Sequence, residues 1–186
     1  MFETPFAEPR QFYAEASRDG TASFSTVAAG GQYIIRPYEV SGWVVQSVTA
    51  GGRDLTDRVF DLQADLTSIV VTMTDQPTKV SGVVRDAQGQ ASATAVVLAF
   101  PVDRGRWSRY GTSPRHLKSA ITTPAGVYTF DHLPPGDYHV IAIDPSAADN
   151  WENPARLEAL SGDAATLTIA TGDTSKTLDL RVKAVR

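Results

Sequence analysis

Short stretches of period-two alternation, each stopped by a glycine or proline turn, restrict this chain to β architecture. Thr177, Asp179 and Arg181 alternate with Leu178, Leu180 and Val182, the pattern of a strand with one wet and one dry face. Ser68, Val70 and Thr72 alternate with Ile69, Val71 and Met73 in the same way. The run TAVVLAFPV is apolar at both parities (Val96, Leu98, Phe100 against Ala95, Val97, Ala99) and predicts a more central strand. The turn signals RDG, AAGG, AGG, DAQG, PAG, LPPGD, SGD and TGD fall between these runs. Regular short strands with such punctuation indicate an all-β protein built as an antiparallel, Ig-like sandwich.

One segment reads as helix. In NPARLEALSG, Asn153 is the N-cap, Pro154 opens the first turn, and Gly162 suits a left-handed C′ position. The spacing predicts a short helix near 154–160 with Leu157 and Leu160 facing the sandwich. Two turns are not stable alone, so it is expected as a lid on a sheet edge.

The chain repeats itself. DGTASFSTVAAGGQYIIR (19–36) aligns with PAGVYTFDHLPPGDYHVIA (124–142). Phe24 falls on Phe130, Val27 on Leu133, Gly30 on Gly136, and Tyr33 on Tyr138 after a one-residue insertion. The unit is a strand, a tight corner, and a strand that begins with an inward tyrosine. Phe130 and Tyr138 are expected to pack across that corner, with Gly136 in a conformation that a Cβ resists. The repeat predicts two tandem domains, 1–75 and 76–186, joined at the short connector Asp75–Thr78. Strands are expected in the second near 78–85, 93–101, 117–122, 126–131, 137–143, 164–170 and 176–184. Only some 22 residues precede the repeated unit in the first domain, against about 46 in the second. The first sandwich is therefore expected to be incomplete.

Composition removes several function classes. Seventeen Lys and Arg against 21 Asp and Glu leave a net charge of −4, which argues against nucleic acid as a partner. Cysteine is absent, so disulfides, thiolate metal sites and cysteine nucleophiles are excluded. No apolar run approaches the ~18 residues that a membrane span needs. The opening MFETPFAEPRQF has neither the basic nor the apolar region of a signal peptide.

The motif residues of the second domain resemble a known family. Val80, Gly82, Val84, Asp86 and Gly89 fit V-x-G-x-V-x-D-x-x-G. Gly126, Tyr128, Phe130, Leu133, Pro134, Pro135, Gly136 and Tyr138 fit G-x-[FY]-x-F-x-x-L-P-P-G-x-Y. Together they resemble the carboxypeptidase regulatory-like domain, a transthyretin-like (prealbumin-like) β-sandwich related to Cna B-type domains. The first domain is similar through its Phe24-to-Tyr33 unit, with Ala28 and Ala29 where two prolines are usual. The stretch GWVVQSVTAGGRDLTDRVFDL resembles the hairpin of tandem copies in bacterial cell-envelope proteins. The resemblance implies a non-catalytic accessory module, extracellular or periplasmic and at the cell surface.

Catalytic and metal-binding constellations are not evident. His116, His132 and His139 lack the spacing of a metal site. There is no GxSxG nucleophile elbow and no phosphate loop backed by a helix. No enzyme activity, metal or cofactor is expected. Cna B-type domains can carry an isopeptide bond, for which Lys79 and Asp179 lie roughly at the two ends, but Asp179 alternates with Leu178 and Leu180 and should point outward. Trp43 is expected in the core or at a domain interface, and Trp151 as a staple before the helix.

The most distinctive segment is DRGRWSRYGTSPRHLK (103–118), with five basic residues and one acid. Arg104, Arg106, Trp107, Arg109 and Tyr110 combine the residue types of binding hot spots. They form either a loop packed on its own sandwich, or a contact for a protein or glycan. A glycan site requires Trp107 and Tyr110 exposed and coplanar. Three roles stay open: a spacer or adhesion module; a carbohydrate-binding module using Trp107 and Tyr110; or a self-assembling subunit whose incomplete first domain accepts a strand from a neighbour, with PRQFYAEAS as candidate donor.

Overall fold

The computed structural model describes residues 2–3, 31–37, 42–108 and 114–184. Phe24, Val27, Gly30, Arg109, Tyr110 and the candidate donor segment PRQFYAEAS lie outside them. The chain forms two compact units; it passes from the first to the second between Thr74 and Asp75, and Pro114 groups with the first.

The first unit contains β1 (Phe2–Glu3), β2 (Gly31–Ile35), β3 (Val44–Ala50), β4 (Arg53–Asp54), β5 (Phe60–Leu62) and β6 (Ile69–Thr74). They make two antiparallel sheets, ordered β1-β2-β5 and β4-β3-β6. Alternation turns Tyr33 and Ile35 of β2 and Val45, Val48 and Ala50 of β3 into one core with Leu55 and Phe60. The switch of parity after Val45 follows from an irregularity in the β3–β6 ladder between Val45 and Ser47. Beside this core, Arg36 Nη1 lies 3.4 Å from Asp57 Oδ1, with both side chains almost wholly buried. Trp43, expected in a core or interface, is 46% exposed.

The second unit contains β7 (Lys79–Arg85), β8 (Val96–Pro101), β9 (Lys118–Ile121), β10 (Val127–Asp131), β11 (Gly136–Ile143), α1 (Pro154–Ser161), β12 (Ala165–Ile169), β13 (Ser175–Thr177) and β14 (Leu180–Lys183). On one side, β10 and β13 flank β7; on the other, β9-β8-β11 continues into β12. The last strand joins the two. Leu180 and Arg181 pair with Val84 and Arg85 of β7, and Val182 and Lys183 then pair with Ala142 and Ile143 of β11. The pairs that β13 and β14 make are parallel, a departure from the purely antiparallel sandwich that was expected.

The core between the layers holds Val80, Val84, Val97, Ala99, Tyr128, Phe130, Leu133, Tyr138, Val140, Ala142, Leu167 and Ile169. At the tyrosine corner, Tyr138 Oη donates to Pro134 O at 2.8 Å. Gly136 begins β11 at φ +151, a conformation side chains rarely adopt. Phe130 shares the core with Tyr138, and its edge-on ring partner is Tyr128, at 5.4 Å. The run TAVVLAFPV becomes β8, buried at both parities. Val97 and Ala99 face the sandwich core, and Leu98 and Phe100 are equally buried on the opposite face.

Helix α1 begins as expected. Asn153 Oδ1 accepts from the Ala155 amide at 2.9 Å, and Leu157 and Leu160 are fully buried. Its end differs: Gly162 is ordinary right-handed helix (φ −67), because an Asp163 N–H to Leu160 O bond closes the last turn without a left-handed residue.

Candidate interaction site and terminal-strand junction

The segment after β8 is built around a buried tryptophan. Asp103 caps a 3-10 turn over Arg104–Arg106 by accepting from the Gly105 amide at 3.0 Å. The turn swings Trp107 back onto the sheet, where it is 3% exposed. Its indole N–H donates to Pro101 O at 2.7 Å, and its ring meets Phe100 edge-on at 5.9 Å. Of the two readings of this loop, Trp107 follows the one in which it packs on its own sandwich, and it is not the exposed stacking platform that a glycan site requires. Tyr110, its proposed coplanar partner, and Arg109 lie outside the described residues.

The arginines divide by exposure. The Arg104 guanidinium lies 5.6 Å from the Trp107 ring centroid and binds Glu158 of α1 at 2.6 Å. Both side chains of that pair stay largely exposed, so it is a surface clasp between the segment and the helix. Arg106 is mostly buried and 3.8 Å from Asp103. His116 Nε2 sits 3.1 Å from Arg106 O, with the ring fully buried. On the neighbouring β11, His139 lies 5.3 Å from the Phe100 ring. Burial, and then the Arg104 charge, lower the pKa of its imidazole. Among the described residues no group of three or more His, Asp or Glu converges to hold a metal ion.

A second constellation sits where the unit's first strand meets its last. The expected strand 176–184 is broken at Leu178 and Asp179 into β13 and β14, without a change of register. The Asp179 carboxylate causes the break: its Oδ1 accepts from the Val83 amide at 2.9 Å, where a backbone carbonyl would otherwise serve. The Leu178 carbonyl is left to turn toward Gly82 of β7 and accepts from Tyr128 Oη of β10 at 2.7 Å. Gly82 makes the approach possible, since a Cβ there would collide with the Leu178 carbonyl. Burial, and secondarily the Asp179 charge, push the Tyr128 phenol above its usual range and keep it a donor. Lys79 sits 3.9 Å from Asp131, so the two ends considered for an isopeptide bond have different partners.

Asp179 was read correctly as outward, yet its bond to Val83 escaped the sequence reading. The one available signal was Gly82 itself, a glycine inside a strand pattern. The Arg104–Glu158 clasp left no signal, since its partners are 54 residues apart.

The fitted glycine, the tyrosine corner and two facing layers joined by the last strand define a β-sandwich module. Residues 79–182, more than half of the 186-residue chain, match the profile of the carboxypeptidase regulatory-like domain, and the chain belongs to that family. No curated protein matches it. Among solved structures it is similar to the major pilin subunit of Bacillus cereus, at 9% identity over 85% of this chain and 39% of that one (TM-score 0.38). A streptococcal ancillary pilin shows 16% identity over 83% and 45% of the two chains (TM-score 0.39). Catechol 1,2-dioxygenase from an Acinetobacter species shows 14% identity over 56% and 51% (TM-score 0.32). The chain thus spans less than half the length of either pilin. At these identities and scores nothing about role transfers.

Proposed function

We propose that the chain is a non-catalytic structural and interaction module of a bacterial envelope or secreted protein, acting outside the cell membrane as a spacer that carries tension. In this reading 1–75 is a partial sandwich and 76–186 a complete one, in tandem. The supporting observation is the placement of the second unit's ends. Ser175–Thr177 and then Leu180–Arg181 run parallel to and beside Lys79–Arg85. Tension entering at the start of β7 and leaving after β14 slides these strands past one another. Their ladder bonds, together with the Asp179 and Tyr128 bonds, then resist at once and not one after another.

Force spectroscopy tests this. Cysteine handles are introduced by Pro77→Cys with Ala184→Cys for end-to-end pulling, and by Pro77→Cys with Asp131→Cys for the comparison. The second pair opens β7 from β10 at the Lys79–Asp131 end, so that ladder unzips. The end-to-end geometry should rupture at clearly higher force. Equal or lower force sinks the tension-bearing reading.

A second reading, self-assembly by strand addition at an open edge of the first domain, is favoured by the exposure along β6. Glycan binding through Trp107 has no such support, because the indole face is covered.

A further inference from the structure

The outer side of the layer formed by β10, β7 and the terminal strands carries its charge unevenly. In β7, Val80 and Val84 face the core, which turns Lys79, Ser81, Val83 and Arg85 outward. In β14, Leu180 and Val182 pack on the core, which turns Arg181 and Lys183 outward, both exposed. At one end of the layer, Lys79 has Asp131 directly across the β7–β10 ladder, 3.9 Å away. At the other end, Arg85 and Arg181 are direct partners in the β7–β14 ladder. Two guanidinium side chains thus rise side by side from strands about 4.8 Å apart, and Lys183 follows about 6.6 Å further along the same side of β14. Arg85 donates to the uncharged Gly89 carbonyl, and among the described residues Arg181 and Lys183 make no hydrogen bond or ion pair. The carboxylates next to these bases in the chain or the ladder are committed to other groups. Asp86 accepts from the Gln88 and Gln90 amides, Asp144 from the Ser146 amide, and Asp179 from the Val83 amide. Like charges side by side in a ladder cost stability. Elsewhere the same unit gives its bases a counter-charge: Arg104 has Glu158, Arg106 has Asp103, and Lys176 has Asp173.

We propose that Arg85, Arg181 and Lys183 form a docking surface for an extended acidic segment of a partner protein, one that carries carboxylates at alternate residues. The repeat of such a segment, about 6.6 Å, is the spacing of Arg181 and Lys183 along β14. Arg85 widens the surface so that a carboxylate beside Arg181 meets two guanidinium groups. The partner supplies the counter-charge that the fold withholds, and in a chain of net charge −4 this local excess steers an acidic segment to one place. The rest of the layer presents the hydroxyls of Ser81, Thr129 and Thr177, and no aromatic or long apolar side chain among its outward residues, which favours a peptide over a lipid surface. This goes beyond the tension-bearing reading and does not depend on it, because the force comparison reads ladder bonds and docking reads exposed charge.

Fluorescence anisotropy of the full chain with a labelled peptide of alternating Asp and Thr tests the surface. A peptide of alternating Asn and Thr is the uncharged control, and vesicles of phosphatidylcholine with phosphatidylglycerol stand for an anionic membrane. The acidic peptide should bind, and bind about tenfold more weakly once salt shortens the Debye length from about 10 Å to about 3 Å. Arg181→Gln with Lys183→Gln should weaken binding about tenfold, and Lys79→Gln, at the balanced end, less than about twofold. Arg181→Glu with Lys183→Glu should lose the acidic peptide and gain one of alternating Lys and Thr. That exchange cannot come from a folding defect. Should either double variant fail to fold, Arg85→Gln reads the same surface. Equal binding of the Asn peptide, binding that ignores these substitutions, or no binding overturns the proposal. Binding to the vesicles and not to the peptide overturns it in favour of an anionic membrane surface.

Discussion

The two units handle the same problem, closing a small β core, in different ways. In the second, β8 and β11 are buried on both faces. Val97, Ala99, Val140 and Ala142 face the sandwich core, and Leu98, Phe100, Ile141 and Ile143 are buried on the side where Trp107 docks. The last strand is shared between layers, so the sheets close on one another. Among its described residues the first unit places the Arg36–Asp57 ion pair beside the core and leaves Val71, on the side of Ile69 and Met73, 39% exposed. Apolar cover gains stability with every methylene buried. A buried ion pair does not, since desolvating both charges offsets most of their attraction. The second unit is accordingly expected to outlast the first in urea or on heating, a difference that specific substitutions can exaggerate or reverse.

The largest reversal should come from Trp107→Ala. It removes the ring against Phe100 and the bond to Pro101, and empties the layer outside β8. The expected loss is ~3–5 kcal/mol, confined to the second unit. Hydrogen exchange read by segment checks this: protection should fall in β8 and β11 and stay unchanged in β3. Loss of less than ~1 kcal/mol would mean that Trp107 is not the anchor its burial implies.

The matching change in the first unit is Asp57→Asn. Asp57 sits at φ +52, which asparagine tolerates, so the backbone is kept while the charge facing Arg36 is removed. Removing the charge that faces the buried Arg36 guanidinium should destabilise the first unit by ~3 kcal/mol, the low end for such pairs given a separation of 3.4 Å. Segment-resolved exchange should then open β2 and β3 first. If Asp57→Asn costs the same as an exposed substitution, the pair is more hydrated than its burial indicates.

How far these differences could be read in advance depends on the range of the physics behind them. Strand alternation and the Asn153 cap are local, and β7 to β12 and α1 lie close to where the residues place them. The double burial of β8 was legible because TAVVLAFPV has no wet parity. Trp107 was picked out by its arginine-rich neighbourhood, but whether it packs on its own sandwich or faces a partner stayed open. Composition carries no information about which way a loop folds back, and that direction is set by Asp103 capping a single turn. The parallel last strand was illegible for a related reason. Alternation predicts a strand but not its neighbour, and the Asp179–Val83 bond spans 96 residues. In the first unit, alternation places Val71 on the dry face with Ile69 and Met73, and its 39% exposure shows only in three dimensions.

The smallest effect sharpens the comparison through pH. His139 is a base whose pKa is lowered in the folded protein, by burial first and by the Arg104 charge second. As pH falls below the ordinary imidazole value of 6.5, the unfolded chain takes up a proton that the native ring still refuses. The second unit should therefore hold its full stability above that pH and lose some of it as the pH drops toward the lowered native value. His139→Phe, which keeps a ring against Phe100, should flatten this dependence between about pH 7 and pH 5. Arg104→Gln should flatten it only in part, because the larger cause is burial. It should also cost no more than ~1 kcal/mol at neutral pH, as its partner Glu158 is exposed. Urea melts of the three proteins across that range make the comparison, and parallel curves for all three would remove His139 as the source of any acid sensitivity in the second unit. The first unit's melt serves as the internal reference, because its described residues contain no histidine.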